Sequence, residues 1–103
     1  MIIETELTGL MASAVNLAAL FLVGAFVMAA VRLIIGPTLP DRVVALDLLT
    51  MLVVAFLTLF ALATGVGAYL DAALALALVG FLATIAFARF VDLTPEQNPG
   101  ERR

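Results

Sequence analysis

The sequence predicts an all-α membrane protein with three transmembrane helices, its N-terminus outside and its C-terminus cytoplasmic. Three observations carry this. The 103 residues are 65% hydrophobic and only 13% charged, against the roughly 45–50% apolar and 25% charged residues of a soluble domain. The charges cluster at the ends of apolar runs that match the thickness of a bilayer's hydrocarbon layer. Basic residues alternate between the segments that join those runs, which sets an orientation.

The first apolar run, about residues 9–32, is broken only by Ser13 and Asn16. At 1.5 Å per residue it crosses a hydrocarbon core of roughly 30 Å. Arg32 marks its end, and Gly36-Pro37-Thr38-Leu39-Pro40 interrupts the helix, because proline lacks an N–H and restricts the residue before it. Thr38 is the expected N-cap of helix two, with Asp41 three residues on at capping-box spacing, where a carboxylate also meets the positive end of the helix dipole. Helix two runs over about 39–64 and ends where Gly65 and Gly67 permit a turn. Helix three covers about 70–90, with Tyr69 as an interfacial anchor and Asp71 as a helix-start carboxylate. Residues 91–103, with Pro95, Pro99 and Gly100, read as a polar tail. The whole chain is a single membrane domain. Residues Met1 to Leu7 carry Glu4 and Glu6 but no basic residue, so helix one does not have the form of a cleaved signal peptide.

No basic residue precedes helix one, Arg32 and Arg42 flank the first loop, the second loop has none, and Arg89, Arg102 and Arg103 follow helix three. The positive-inside rule then puts the first loop and the tail in the cytoplasm. In this reading Arg32 and Arg42 set topology, the latter by snorkelling to the interface.

Several functions are excluded by what the chain lacks. It has no Cys, His, Lys or Trp, which removes thiolate and imidazole ligands, Schiff-base lysines and histidine-based acid–base chemistry. The expectation is a protein that is not an enzyme and holds no cofactor. A net charge of -3 and a single tyrosine leave no basic groove or stacking platform for nucleic acid.

What remains is a small set of polar groups at membrane depth. On helix two, Asp47, Thr50, Val54, Thr58, Ala61 and Gly65 share a stripe; on helix three Ala73, Ala77, Gly80 and Thr84 do, and on helix one Ala14, Ala18, Ala25 and Ala29. Small residues at these spacings let helices approach closely in lipid. Three short helices have few inward faces to share, so some stripes are expected to meet other subunits. Asp47 lies about two turns into helix two, where an aspartate is costly unless paired or hydrated. Its role is open between a packing salt bridge or hydrogen bond and a carboxylate bordering a cation or proton path, with Thr50 and Thr58 adding oxygens. Asp41 is accounted for by capping, Asp71 by the helix start, with the outer mouth of a pathway as its other reading, and Asn16 by packing.

The segment from Arg32 to Asp47, Arg-Leu-Ile-Ile-Gly-Pro-Thr-Leu-Pro-Asp-Arg-Val-Val-Ala-Leu-Asp, resembles the signature of the F subunit of Mrp-type multisubunit cation/proton antiporters. Asp71-Ala72-Ala73-Leu74 and the stretch from Gly80 to Arg89 are similar to that family's third helix. Many relatives carry a basic residue where this chain has Ile35. The resemblance implies an accessory subunit in the cytoplasmic membrane, partnered by large antiporter-like subunits and other small ones in a complex that exchanges Na+ for H+. It also implies that the acidic residues matching Asp41 and Asp47 take part in cation transport, with Na+ passing transiently near Asp47 and no other metal held. A purely structural subunit, and an equivalent subunit of a redox-linked complex such as a membrane-bound hydrogenase, are the alternatives. A stand-alone pore is the remaining one, and it would need stable self-association in lipid.

Overall fold

The computed structural model describes residues 2–93. It contains three α-helices in chain order: α1 (Ile2–Ile35), α2 (Leu39–Thr64) and α3 (Gly67–Leu93). Each is long and apolar enough to cross a membrane. Residues 94–103 of the expected tail, including Arg102 and Arg103, lie outside the described residues, while residues 91–93 complete α3.

Both outer helices run past their apolar windows. The expected span of 9–32 is the core of a 34-residue helix, about 51 Å long at 1.5 Å per residue. Arg32 therefore lies in the last turn of α1 rather than at its end. Helix propagation adds one hydrogen bond per residue and does not stop where polarity rises; it stops at Gly36, whose N–H closes the helix on the Arg32 carbonyl at 2.7 Å. Proline at 37 then prevents continuation.

The first loop is short and fully specified by its side chains. Thr38 has extended backbone (φ -116°, ψ 158°), and its hydroxyl oxygen accepts the Asp41 N–H at 3.3 Å. The same hydroxyl donates to Asp41 Oδ2 at 2.8 Å. This differs from a reciprocal capping box, in which the third-residue carboxylate takes the cap's backbone N–H. Pro40 sits in the first turn, where its missing N–H has no intrahelical partner to lose. Arg32 Nη2 lies 3.7 Å from Asp41 Oδ1, and Arg42 Nε donates to the Gly36 carbonyl at 3.2 Å. Gly36 is buried among them: a Cβ there would stand 3.0 Å from the Arg32 carbonyl oxygen. Thr38→Ala is expected to cost about 1 kcal/mol of stability through loss of the cap, read as a lower midpoint of thermal unfolding in detergent.

The second loop is tighter than the paired glycines suggest. Gly65 caps α2 in the left-handed region (φ 72°), and its N–H bonds to the Ala61 carbonyl. The next helix then starts at Gly67, a turn earlier than expected, with the Tyr69 ring tilted against Phe60 at 6.0 Å. Asp71 is consequently the fifth residue of α3, and the first turn has no acidic residue. Its expected role as a helix-start carboxylate is corrected, because the dipole's influence fades beyond the first turn. Gly65→Ala should destabilise by about 1 kcal/mol, since a Cβ is disfavoured at positive φ, and the same thermal measurement reads it.

Helix α2 is central. It packs against α1 on one side and α3 on the other, and among the described residues the backbones of α1 and α3 do not approach each other closely. The α1–α2 seam includes an edge-on contact of Phe26 with Phe56, centroids 6.3 Å apart. Among the described residues only Ala29, Gly36, Ala45, Ala73 and Gly80 are buried. Where helices meet, only alanine or glycine is enclosed, as close backbone approach requires. Large apolar side chains face outward, Met28 at 74% exposure and Phe21 at 72%. Such a surface suits hydrocarbon or neighbouring helices, and in water it would exceed the apolar patches that monomers tolerate.

Candidate functional site

One groove between α2 and α3 gathers polar groups. Val43, Leu46, Asp47 and Thr50 from α2 face Gly80 and Thr84 from α3 around a volume of about 300 Å³. The two helices come together here because Gly80 has no side chain; a Cβ would lie 3.2 Å from Thr50 Cγ2. That approach brings the Thr84 hydroxyl to 2.8 Å from Asp47 Oδ1. The same hydroxyl is 2.9 Å from the Gly80 carbonyl oxygen.

Asp47 is the ninth residue of α2, about 12 Å from the helix start at 1.5 Å per residue. It is half-buried. Among the described residues its side chain bonds to Thr84, and the one ion pair joins Arg32 to Asp41. Charge in the groove is therefore not neutralised by the chain's described residues. The surrounding wall of Val43, Val44, Leu46, Ala83 and Phe87 is apolar, so an ionised Asp47 needs water, a cation or a neighbouring donor.

The two threonines expected beside Asp47 behave differently. Thr50 lines the groove. Its proton is committed to the Leu46 carbonyl at 3.0 Å, which leaves the hydroxyl oxygen's two lone pairs as acceptors. Thr58 makes the same bond to Val54 at 2.9 Å, but stands eleven residues beyond Asp47, roughly 17 Å along the axis. It shares the stripe and not the groove. Asp41 also lies outside the groove, held by Thr38 and near Arg32 at the loop. Pro37, Pro40, Thr38, Arg32 and Arg42 build that loop and do not line the groove. Asp71 is at the opposite end of α3 from Thr84 and is exposed.

Thr84 is the site residue that sequence reasoning did not single out. The signal was present, since Thr84 shares a stripe with Gly80 and Asp47 shares one with Thr50, but nothing in the periodicity says which stripes face each other.

A second groove between α1 and α2, of about 350 Å³, is lined by Thr8, Met11, Ala12, Asn16, Leu62 and Ala63 among others. Asn16 is exposed and lines this groove, and among the described residues its amide makes no hydrogen bond to α2.

These features define an all-helical chain with three helices able to cross a membrane and one carboxylate-bearing groove between two of them. The profile of the family described as multiple resistance and pH regulation protein F (MrpF / PhaF) matches residues 40–92, just over half of the chain, and the chain belongs to that family. The match takes in Asp41, Asp47, Thr50, Gly80 and Thr84 and leaves α1 outside.

Among curated relatives, the F subunit of the Na(+)/H(+) antiporter of Bacillus subtilis (strain 168) is 42% identical over 62 residues, covering 60% of this chain and 66% of the relative. The F1 subunit of the Na(+)/H(+) antiporter of Staphylococcus epidermidis (strain ATCC 12228) is 37% identical over 62 residues, covering 60% of this chain and 64% of the relative. The chain thus aligns with slightly under two thirds of the length of these relatives. No solved structure matches it.

Proposed function

We propose that this chain is an accessory, non-enzymatic membrane subunit of a hetero-oligomeric Na+/H+ antiporter, and that Asp47 borders a cation or proton route completed by neighbouring subunits. The observation that carries the reading is the groove: a carboxylate about two turns into an apolar helix, open on one side, bonded to a single hydroxyl and paired with no arginine among the described residues. A lone intramembrane carboxylate is costly unless hydrated or matched from outside. A route for hard cations or protons supplies the hydration, and one chain offers too few oxygens to enclose an ion. The names of the relatives point to the same class of transport.

The orientation follows from the basic residues: Arg32, Arg42 and Arg89 on the cytoplasmic side of the cell membrane, with the α2–α3 turn outside. Asp47 is then nearer the cytoplasmic face. Asp41 fits a place at the cytoplasmic entrance while it caps α2. The outward-facing apolar surface supports contact with lipid and with the large and small subunits of the antiporter.

The test is to solubilise the complex in mild detergent by a tag on this chain, and to measure Na+-driven proton movement in vesicles with and without the chain. Co-recovery of antiporter-like subunits, and loss of proton movement without this chain, is the expected result. Recovery with iron–sulfur or nickel-bearing partners would reject the antiporter, and a chain recovered alone as a stable monomer would reject the subunit reading.

A further inference from the structure

The geometry points to Thr84 as a latch on Asp47: its hydroxyl holds the carboxylate against α3 and can release it without stranding a donor. This inference rests on the proposed role of Asp47.

A threonine hydroxyl has one proton to donate. Here two acceptors lie in range of it, Asp47 Oδ1 at 2.8 Å and the Gly80 carbonyl at 2.9 Å. Two arrangements follow. In the latched one the proton lies on the line to Asp47 Oδ1 and fixes the carboxylate to α3, 37 residues away in sequence. In the released one the hydroxyl turns to the Gly80 carbonyl, as Thr50 and Thr58 already bond four residues back, and the carboxylate swings toward the open groove. The turn replaces one hydrogen bond by another, so release does not incur the penalty of an unpaired buried donor. No proton leaves Thr84 in this exchange; the torsion of its hydroxyl and the side-chain torsions of Asp47 change.

Gly80 has two parts in the device. Its bare Cα lets α3 come close enough for Thr84 to reach across, and its carbonyl is the second acceptor. No other side chain lining the groove can donate to Asp47: Thr50 has committed its proton to Leu46, and the rest of the lining is apolar.

Because a hydrogen bond to a charged group is stronger than a neutral one, the latched form is the more populated, and the released form binds cations at a discount set by its population. Loss of the hydroxyl removes that discount. Thr84→Val keeps the shape and removes the donor; Thr84→Ser keeps the donor and removes the methyl. In assembled antiporter, Thr84→Val is expected to lower the Na+ concentration for half-maximal antiport about tenfold and to reduce the maximal rate. Thr84→Ser should restore both. If Thr84→Val complexes do not assemble, Thr84→Ala gives the same reading with a smaller side chain.

Wild-type behaviour of the hydroxyl-free variant, a rise in half-saturating Na+, or a serine variant as impaired as the valine one each overturns the latch. Asp47→Asn separates the latch from the role it rests on. If it retains full antiport, the role of Asp47 itself fails; if it abolishes antiport while every Thr84 variant behaves as wild type, the latch alone fails.

Discussion

Replacing Gly80 by leucine is expected to separate α2 from α3 and to lower the recovery of assembled complex at least several-fold. Even the first carbon of the new side chain would stand 3.2 Å from Thr50 Cγ2, and the branched remainder would have to enter the space that α2 occupies. Overpacking of this kind costs about 1–3 kcal/mol where the neighbours can adjust, and more where backbone must move. In lipid no hydrophobic gradient drives the helices back together, so close packing of small residues is a principal source of association. A graded series makes the cause identifiable. Gly80→Ala should weaken recovery modestly, and adding Thr50→Ser, which deletes the methyl that the new Cβ meets, should restore it. If Thr50→Ser gives no rescue, the contact is not what limits the approach.

Asp47→Asn is the second large effect, and it acts on transport rather than on assembly. The amide keeps the volume of the carboxylate and can still accept the Thr84 bond through its oxygen. Packing of α2 on α3 should therefore survive, with recovery of the complex near wild type. The charge is lost, and with it the group's ability to attract a cation or take up a proton. Na+-driven proton movement in vesicles is expected to fall by about tenfold or more, the scale of an interaction of roughly 1.4 kcal/mol. Dissociation of the complex on this substitution would favour the structural role, in which Asp47 holds a partner; unchanged transport in an intact complex would remove Asp47 from the route.

Much of the architecture is legible in the sequence. Apolar length locates three spans, the Gly-Pro-Thr-Leu-Pro stretch locates the first loop, and Thr38 is identifiable as the cap because few side chains can accept an N–H at that spacing. Helix ends are less legible, since hydropathy reports where lipid is and hydrogen bonding reports where the helix is: α1 reaches Ile2 through Glu4 and Glu6. The start of α3 depends on how Gly65 resolves the turn. Once its left-handed backbone reverses the chain, Val66 and Gly67 suffice, and Asp71 is carried out of the first turn.

The site is half legible. Asp47 stands out on cost alone, and Thr50 is one turn away on the same helix. Thr58 lies on the same stripe but eleven residues farther along α2, toward its other end, a difference that an angular projection discards. Thr84 requires the register of α3 against α2, which depends on where the short turn places the helices and on the Gly80 approach. The placement of α1 and α3 on opposite sides of α2 has the same origin, because all three helices carry small-residue stripes and periodicity does not pair them.

If Asp47 borders an ion route, the groove beside it must be hydrated in the assembled complex. The chain contains no cysteine, so Thr50→Cys places a single thiol there while Asp47 remains, with Leu48→Cys, exposed on α2 but outside the groove, as the comparison. In vesicles bearing the assembled complex, a water-soluble, positively charged thiol reagent is expected to modify Thr50→Cys, to do so more slowly in high Na+, and to leave Leu48→Cys untouched. A Thr50→Cys thiol as unreactive as that of Leu48→Cys would mean that the groove is filled by lipid or protein, and would contradict the proposed route.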